Sequence, residues 1–284
     1  MVVKMNKDLF SKNIENIVKL MKNQTYTATQ LNKLHSKLKQ NRYIAQAMPF
    51  TTFLQKLIKL QKKQINITMN NKYLSIYSYD DKVSETKMLL GFRKNSFYSM
   101  SSVLNLLELS DFRDNFIFLS QELPHKNLQK NSLSQLAIDT AFSKKYRRTQ
   151  MIGKYKEKNI IFLTPKYTNS YEIITDKEGN RFSSINRAFI EIIVNVQYFK
   201  NSLNIIELFK PIKNKLDINT IYSVLVVFDF IYPYFQCIGF YLHKIGFKTE
   251  ELQAFKSRVE NLKFYTDKEQ ESYKYNEYWQ MYHI

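Results

Sequence analysis

Residues 221–246 read Ile-Tyr-Ser-Val-Leu-Val-Val-Phe-Asp-Phe-Ile-Tyr-Pro-Tyr-Phe-Gln-Cys-Ile-Gly-Phe-Tyr-Leu-His-Lys-Ile-Gly. A bilayer span needs about 20 consecutive apolar residues, and this run approaches that length. Its interior polar residues argue against a span. Asp229 near the centre of a spanning helix would cost about 2.5–3.5 kcal/mol on insertion scales. Gln236 adds a second polar group, and Pro233 removes a helical donor in the middle of the run. The stretch therefore predicts two buried helices of a soluble core, at 218–230 and 234–245, meeting at Tyr232-Pro233. Gly239 is expected where two backbones approach closely, and Gly246 as the C-terminal cap of the second helix.

Outward from this pair, the sequence from 89 to 284 reads as mixed α and β. Phe116–Leu119, Asn159–Leu163 and Tyr171–Ile174 are short apolar runs with the character of strands, the last leading to a turn at Glu178-Gly179-Asn180. Further helices are expected at 99–109, 184–196 and 203–213. Residues 247–284, rich in Tyr and carrying Trp279, read as a strand-bearing closing segment packed on the same domain.

The first 80 residues follow another pattern. Ile14, Ile17, Val18 and Met21 fall at i, i+3, i+4 and i+7, on one face of a helix from about 6 to 23. Thr27 or Thr29 is placed to cap a second helix carrying Leu31, Leu34 and Leu38. After a connection at 41–50 that contains Pro49, Thr51 or Thr52 is expected to cap a third helix. Its apolar face is Phe53, Leu54, Leu57, Ile58 and Leu60, with Gln55, Lys56, Lys59, Lys62 and Lys63 on the other side or the trailing end. Alternation on both sides of Met69-Asn70-Asn71-Lys72 reads as a hairpin with an Asn-rich turn. Three helices and a hairpin are the layout of a winged helix. Residues 79–88, charged and without apolar period, are the expected linker. The fold class expected is α+β: an N-terminal winged helix-turn-helix domain over 1–80, then a larger mixed α/β domain over 89–284.

Charge supports a functional difference between the two parts. Residues 1–79 hold fourteen basic residues against two acidic, a net of +12, while the remaining 205 hold the other +6 of the chain's +18. Lysine is abundant throughout, so the total says little. The asymmetry within one chain is independent of that bias and points to a polyanionic partner for the first part. On this reading Thr51, Thr52, Gln55, Lys56, Lys59, Lys62 and Lys63 face double-stranded DNA, the amide reading base edges and the lysines neutralising phosphates. Asn70, Asn71 and Lys72 at the wing tip would reach an adjacent groove. The competing reading is a solvated helix face in a lysine-rich protein.

Catalytic and metal chemistry find little footing. His35, His125, His243 and His283 stand far apart without metal-ligand spacing. Five glycines leave no phosphate loop and no Gly-x-Gly-x-x-Gly. Glu85-Thr86-Lys87 matches a fragment of metal-dependent nuclease motifs, but so common a residue as lysine produces such a triplet by chance. Cys237, the single cysteine, lies in an apolar run without a neighbouring His and reads as a buried thiol rather than a nucleophile. One cysteine also rules out an intramolecular disulfide and fits a reducing compartment. The start, Met1-Val-Val-Lys-Met-Asn-Lys-Asp, lacks an apolar signal region, so a cytoplasmic protein is expected, not an enzyme, with no cofactor, no metal and no membrane. The cluster Lys144-Lys145-Tyr146-Arg147-Arg148 is either a solvated charge run or a contact to a nucleic-acid backbone. Arg187 and Glu191, four apart, share a helix face. They are either a structural ion pair or part of a partner-facing surface.

Several strings agree in order with one known family. Tyr232-Pro-Tyr-Phe-Gln-Cys-Ile-Gly-Phe-Tyr-Leu242, Arg181-Phe-Ser-Ser-Ile-Asn-Arg187-Ala-Phe-Ile-Glu191, Val194-Asn-Val-Gln-Tyr198, Ser96-Phe-Tyr-Ser-Met-Ser-Ser and Tyr275-Asn-Glu-Tyr-Trp279 resemble elements of the AbiEi-family antitoxins of type IV toxin-antitoxin (abortive infection) systems. The resemblance runs from about residue 90 to the end. Asn186 stands where the family has Glu, Glu191 where it has Asp, and Phe235 where it has His. The resemblance implies a C-terminal antitoxin domain marked by Arg187, Glu191, Tyr232, Pro233, Tyr234, Gln236 and Gly239. It further implies phage defence, with repression of the chain's own promoter through inverted repeats, by a monomer or a DNA-induced dimer. The functional partner would be a nucleotidyltransferase-like toxin. A stand-alone winged-helix transcription factor, with a ligand-sensing or dimerising second domain, is the alternative.

Overall fold

The computed structural model describes residues 8–109, 115–126, 132–268 and 270–284. The chain forms two compact units. The first comprises residues up to Ser96 together with Gly153–Lys158 and Thr175–Asn180, and the second comprises Phe97–Ile152, Asn159–Ile174 and Arg181–Ile284.

In the first unit α1 (Leu9–Lys12) and α2 (Ile14–Met21) replace the single helix expected over 6–23. The break has a local cause. The Asn13 side-chain amide donates to the Leu9 carbonyl (3.0 Å) and to the Tyr43 carbonyl (3.2 Å), competing with the helical ladder. After β1 (Thr25–Thr27) comes α3 (Ala28–Gln40), and Thr27 is its cap in a reciprocal capping box with Gln30. The next helix, α4 (Phe50–Ile58), does not start at Thr51 or Thr52. Pro49 is its N-cap, its carbonyl receiving the Phe53 N–H, and both threonines lie inside the first turn. This register buries Phe53 and Leu57 completely against Phe10, Leu31 and Leu38 but turns Ile58, expected on the apolar face, 64% exposed to solvent.

Strands β2 (Lys63–Met69) and β3 (Lys72–Ser78) form the expected hairpin, with Met69 paired to Lys72, and β3 also pairs antiparallel with β1. Asn70 and Asn71 both take positive φ (49° and 62°), the backbone signature of a tight two-residue hairpin turn. Residues 79–88 are not a linker. Tyr79 packs edge-on against Tyr26, and the Ser78 hydroxyl donates to the Asp80 carbonyl. Ser84 caps α5 (Glu85–Leu90), whose Met88, Leu89 and Leu90 are buried. The charged residues of this stretch hide buried tyrosine and methionine from any reading by average polarity.

The second unit opens with β4 (Phe97–Tyr98), α6 (Ser101–Leu106), β5 (Phe116–Ser120) and α7 (Gln135–Phe142). Strand β6 (Ile152–Tyr155) belongs, after its first residue, to the first unit, where Lys154 and Gly153 pair with Thr68 and Met69. Then follow β7 (Lys158–Leu163), β8 (Ile173–Thr175) and β9 (Arg181–Ser183). In the second unit β5 runs parallel to β7 and antiparallel to β4, and β4 pairs with β9. The helices are α8 (Ile185–Val194), α9 (Ser202–Phe209), α10 (Ile218–Phe228), α11 (Tyr234–Lys244) and the short α12 (Gln253–Lys256). The chain closes with β10 (Phe264–Tyr265), β11 (Lys274–Asn276) and β12 (Met281–His283) in a three-stranded sheet.

The quoted stretch at 221–246 is the centre of this unit. Asp229 ends α10 in the left-handed conformation (φ 47°), and five residues turn the chain to Pro233, the N-cap of α11. Gly246, at φ 106°, follows the end of α11. Gly239 faces the indole of Trp279, which is itself fully buried, and a Cβ there would lie 2.3 Å from Trp279 Cζ3. No helix among the described residues is long and apolar enough to cross a membrane. Because neither the helix backbone nor a fully packed indole can yield, Gly239→Ala is expected to destabilise the second unit by about 1–3 kcal/mol or more. A urea denaturation curve followed by Trp279 fluorescence checks this, and an unchanged midpoint would contradict the packing described.

Candidate nucleic-acid face and the buried arginine network

In the first unit the outer stripe of α4 is formed by Thr51, Gln55 and Ile58, with Lys59 at its end and Lys62 in the bend before β2, all exposed. Thr52 is half-buried. Two of the expected lysines are committed elsewhere. The Lys56 ammonium is 2.7 Å from Asp8 Oδ2 and lies over the Phe10 ring, so it ties α4 to the cap of α1 rather than projecting outward. Its hydrogen bond, with the Ser11 N–H, holds the Asp8 carboxyl below the usual range. Lys63 donates to the Val83 carbonyl (2.9 Å) from the edge of β2. Asn71 and Lys72 at the hairpin tip are exposed, as is Asn70. Tyr73 beside the tip is 87% exposed, which strand alternation alone did not mark.

Other residues singled out in this unit have structural duties. His35 Nε2 lies 3.0 Å from the Met48 carbonyl, its ring packed on Phe50 and Phe53, and burial pushes its pKa down. Glu85 accepts from the Tyr155 hydroxyl and the Lys156 ammonium, each at 2.6 Å, while Lys87 donates to the Glu178 carbonyl. The Glu85-Thr86-Lys87 triplet is thus taken up by separate local contacts. Among the described residues no group of three His, Cys, Asp or Glu is placed to hold a metal ion.

The second unit is organised around Arg187. Its side chain is fully buried, with the guanidinium carbon 5.1 Å from the Phe97 ring centroid and 5.0 Å from that of Phe228. Nε donates to Glu191 Oε1 (2.8 Å); Nη1 donates to Glu122 Oε1 (3.0 Å), Thr168 Oγ1 (2.9 Å) and the Tyr171 carbonyl (2.6 Å). Nη2 is buried and, among the described residues, has no hydrogen-bond partner. The Glu191 carboxylate also accepts from the Ser183 hydroxyl and from the Met100 N–H. Met100 takes φ 54° and ψ −137°, a conformation costly for a residue with a Cβ, at the start of α6. Burial pushes the Glu122 carboxyl up, but hydrogen bonds from Thr168 and Ser170 and the charge of Arg187 outweigh this and leave it below its ordinary value. Two carboxylates therefore surround one guanidinium in a dry interior. Arg187 and Glu191 are a structural pair, not part of an exposed surface.

The remaining motif residues are also interior. Gln236 donates to the Leu262 and Gln280 carbonyls and accepts from the Glu260 N–H, binding α11 to the closing segment. Pro233 and Gly239 are buried, and Tyr232 and Tyr234 pack on Phe264. Phe235 packs on Tyr222 with the Arg258 guanidinium 4.4 Å over its ring. Cys237 is buried and its thiol is pushed well up by desolvation, which disqualifies it as a nucleophile. Glu122 and Thr168, essential to the arginine network, lie 65 and 19 residues from Arg187 and carried no spacing signal.

No family model and no curated protein matches the chain. Among solved structures it is similar to the crystal structure of the RV2827C protein from Mycobacterium tuberculosis, with a TM-score of 0.49 and 8% identity over 98% of this chain and 92% of that one. A likeness at that level carries no argument about function.

Removing one member of a buried ion pair leaves the other charge uncompensated, so Arg187→Met is expected to cost about 3–5 kcal/mol in chemical denaturation. The pH dependence has a defined sign. A carboxyl with a depressed folded pKa contributes stability that is present above its unfolded value, about 4.3 for Glu, and is lost as pH falls through the folded value. Urea midpoints measured from pH 6 downward should therefore fall below about pH 4.3, and less steeply in Glu122→Gln than in the unaltered chain.

Proposed function

We propose that this chain is a DNA-binding autorepressor joined to an antitoxin domain. The first unit acts as a winged helix on inverted repeats in its own promoter, and the second counters a nucleotidyltransferase-like toxin. The observation that carries the DNA-binding half is the pairing, within one strongly basic unit, of the exposed stripe of α4 with a tight Asn-Asn hairpin. The order helix, strand, helix, helix and hairpin, with β3 between β1 and β2, supports the winged-helix reading. In it α4 enters the major groove, Thr51 and Gln55 meet base edges, and Lys59, Lys62 and Lys72 neutralise phosphates. Tyr73 packs against the backbone beside the wing. Lys56 contributes indirectly, by fixing α4 on Asp8.

The antitoxin half rests on the resemblance over the second unit. Since Arg187, Glu191, Gln236 and Gly239 are interior, they act by holding the unit's shape, and any antitoxic surface is made by other residues. One observation favours a second reading, a regulator with a ligand-sensing domain: the second unit contains a cavity of about 690 Å³. Co-expression with the product of the neighbouring gene, scored for rescue of growth, separates the two.

Promoter binding across a salt series tests the first half. With about five phosphates neutralised, log affinity falls against log salt with a slope of roughly −4 to −5. Lys59→Ala combined with Lys72→Ala should reduce that slope by about two. Lys56→Ala should instead lower thermal stability. Binding that is absent, or insensitive to salt, would contradict the repressor reading.

A further inference from the structure

The lysine-arginine cluster after α7 borders a cavity that the proposed DNA-binding and antitoxin roles leave unused. In the second unit α7, the end of α8, the start of α11 and β10 enclose the cavity of about 690 Å³, within the range of about 300–1,000 Å³ typical of small-ligand sites. Lys144, Lys145, Arg147 and Lys268 line it, and among the described residues no carboxylate does. These four cations do not play the same part. Lys268 donates to the Ala141 carbonyl and lies over the Phe142 and Tyr146 rings, so it already satisfies the carbonyl end of α7. Lys144, Lys145 and Arg147 are exposed, and among the described residues none of them forms an ion pair.

Aromatic rings form a further part of the wall. Phe142 stacks on Tyr265 with centroids 5.2 Å apart and meets Phe264 edge-on at 5.0 Å, while Tyr232 stacks on Phe264 at 5.7 Å. Tyr232 comes from the string that marks the fold; there it serves packing on one side and the cavity on the other. Thr140, Gln197 and Thr266 supply hydroxyl and amide groups on the same wall. Phe142 lies between Tyr265 and the Lys268 ammonium, and Tyr265 between Phe142 and Tyr282, which leaves the Tyr232 ring to take a flat π-face. A ring for a π-face, hydroxyls and an amide for polar edges and a rim of cations outside any ion pair among the described residues are the three needs of one ligand class.

We infer that this cavity binds a nucleoside phosphate, the base stacked on the Tyr232 ring and the phosphate held by Lys144, Lys145 and Arg147. The ligand is either a free nucleotide or one unit of a single strand, since both present the same base and phosphate. The site is separate from the duplex-facing surface proposed for the first unit and does not rest on it.

The test uses fluorescence anisotropy on the full chain with two probes, a fluorescent GTP analogue and a labelled oligothymidylate of about ten nucleotides. Lys144→Ala, Lys145→Ala and Arg147→Ala combined are all at exposed positions, so folding should be unaffected and circular dichroism checks it. The expected result is binding of at least one probe, weakened at least tenfold by the triple change and unchanged by Lys59→Ala with Lys72→Ala. Binding of the GTP analogue assigns the free nucleotide, and binding of the oligonucleotide alone assigns the single strand. An oligonucleotide carrying iodouridine should photocrosslink to Tyr232 if the strand is the ligand. Failure of both probes to bind, or binding that survives the triple change, overturns the inference. Either result leaves promoter binding as a separate question, because that is read on duplex DNA with first-unit variants.

Discussion

The second unit depends on one buried cation. Arg187 places a full positive charge between two phenyl rings, where an unpaired charge is untenable. Glu191 and Glu122 supply the compensation from one helix and from the segment after β5, and each carboxylate is held in turn by hydroxyls and backbone N–H groups. Through these contacts the network joins α8, the start of α6 and the segments holding Glu122, Thr168 and Tyr171. A hydrophobic replacement of the group could be as stable, since buried ion pairs seldom outdo well-packed apolar side chains. What the charged version adds is geometric. The guanidinium accepts partners only along its fixed N–H directions, so the segments that contribute them must arrive in register. The strained Met100 backbone, whose N–H meets Glu191, is one conformation that this network helps to impose.

The first unit solves its smaller problem by apolar means. Phe10, Phe53, Leu57, Leu31 and Leu38 form its centre, and its one buried imidazole, among the described residues, is satisfied by a backbone carbonyl. Most charged residues stay at the periphery, although Asp80 is buried, its carboxylate accepting from the Asn23 and Lys82 N–H groups. That leaves most of the basic side chains outside the core, where they act on solvent and partners rather than on folding. Lys56 is an exception, because Asp8 takes its charge for the anchoring of α4. A unit whose core, among the described residues, holds no ion pair can vary its surface charge with little effect on stability, which suits the role proposed for it.

Legibility in the sequence followed the range of the interaction. The hairpin turn at Asn70-Asn71 and the helices at 218–228 and 234–244 are fixed by neighbours within a few residues, and pattern reading found them, along with the helix cap as one of Thr27 and Thr29, of which the structure takes Thr27. Gly239 was legible as a site of close approach, but not its partner, because Trp279 lies 40 positions away. The start of α4 was missed because two threonines look like caps, whereas the burial of Phe53 and Leu57 is met by starting at Phe50 after Pro49. Residues 79–88 misled for a similar reason, their charges masking a buried Tyr79 and a capped helix at Glu85. Of the arginine network only the i, i+4 pair of Arg187 and Glu191 was visible, and Glu122 could not have been found without the fold.

The string at 221–246 shows how a marker of fold differs from a carrier of function. Its most recognisable polar residue, Gln236, spends its amide on the backbone of the closing segment, and Phe235 makes ring contacts to Tyr222 and Arg258. Both serve packing, so a change of Phe235 to His would alter the interior rather than a recognition surface. Tyr232 is different because it sits where the packed interior meets open space, with Phe264 beneath it and the cationic rim of the cavity beside it. Function in this unit is therefore sought where the rigid string reaches the cavity wall and not in its buried polar residues. The rigidity that Gly239 and Trp279 give to α11 is what holds such a wall in place.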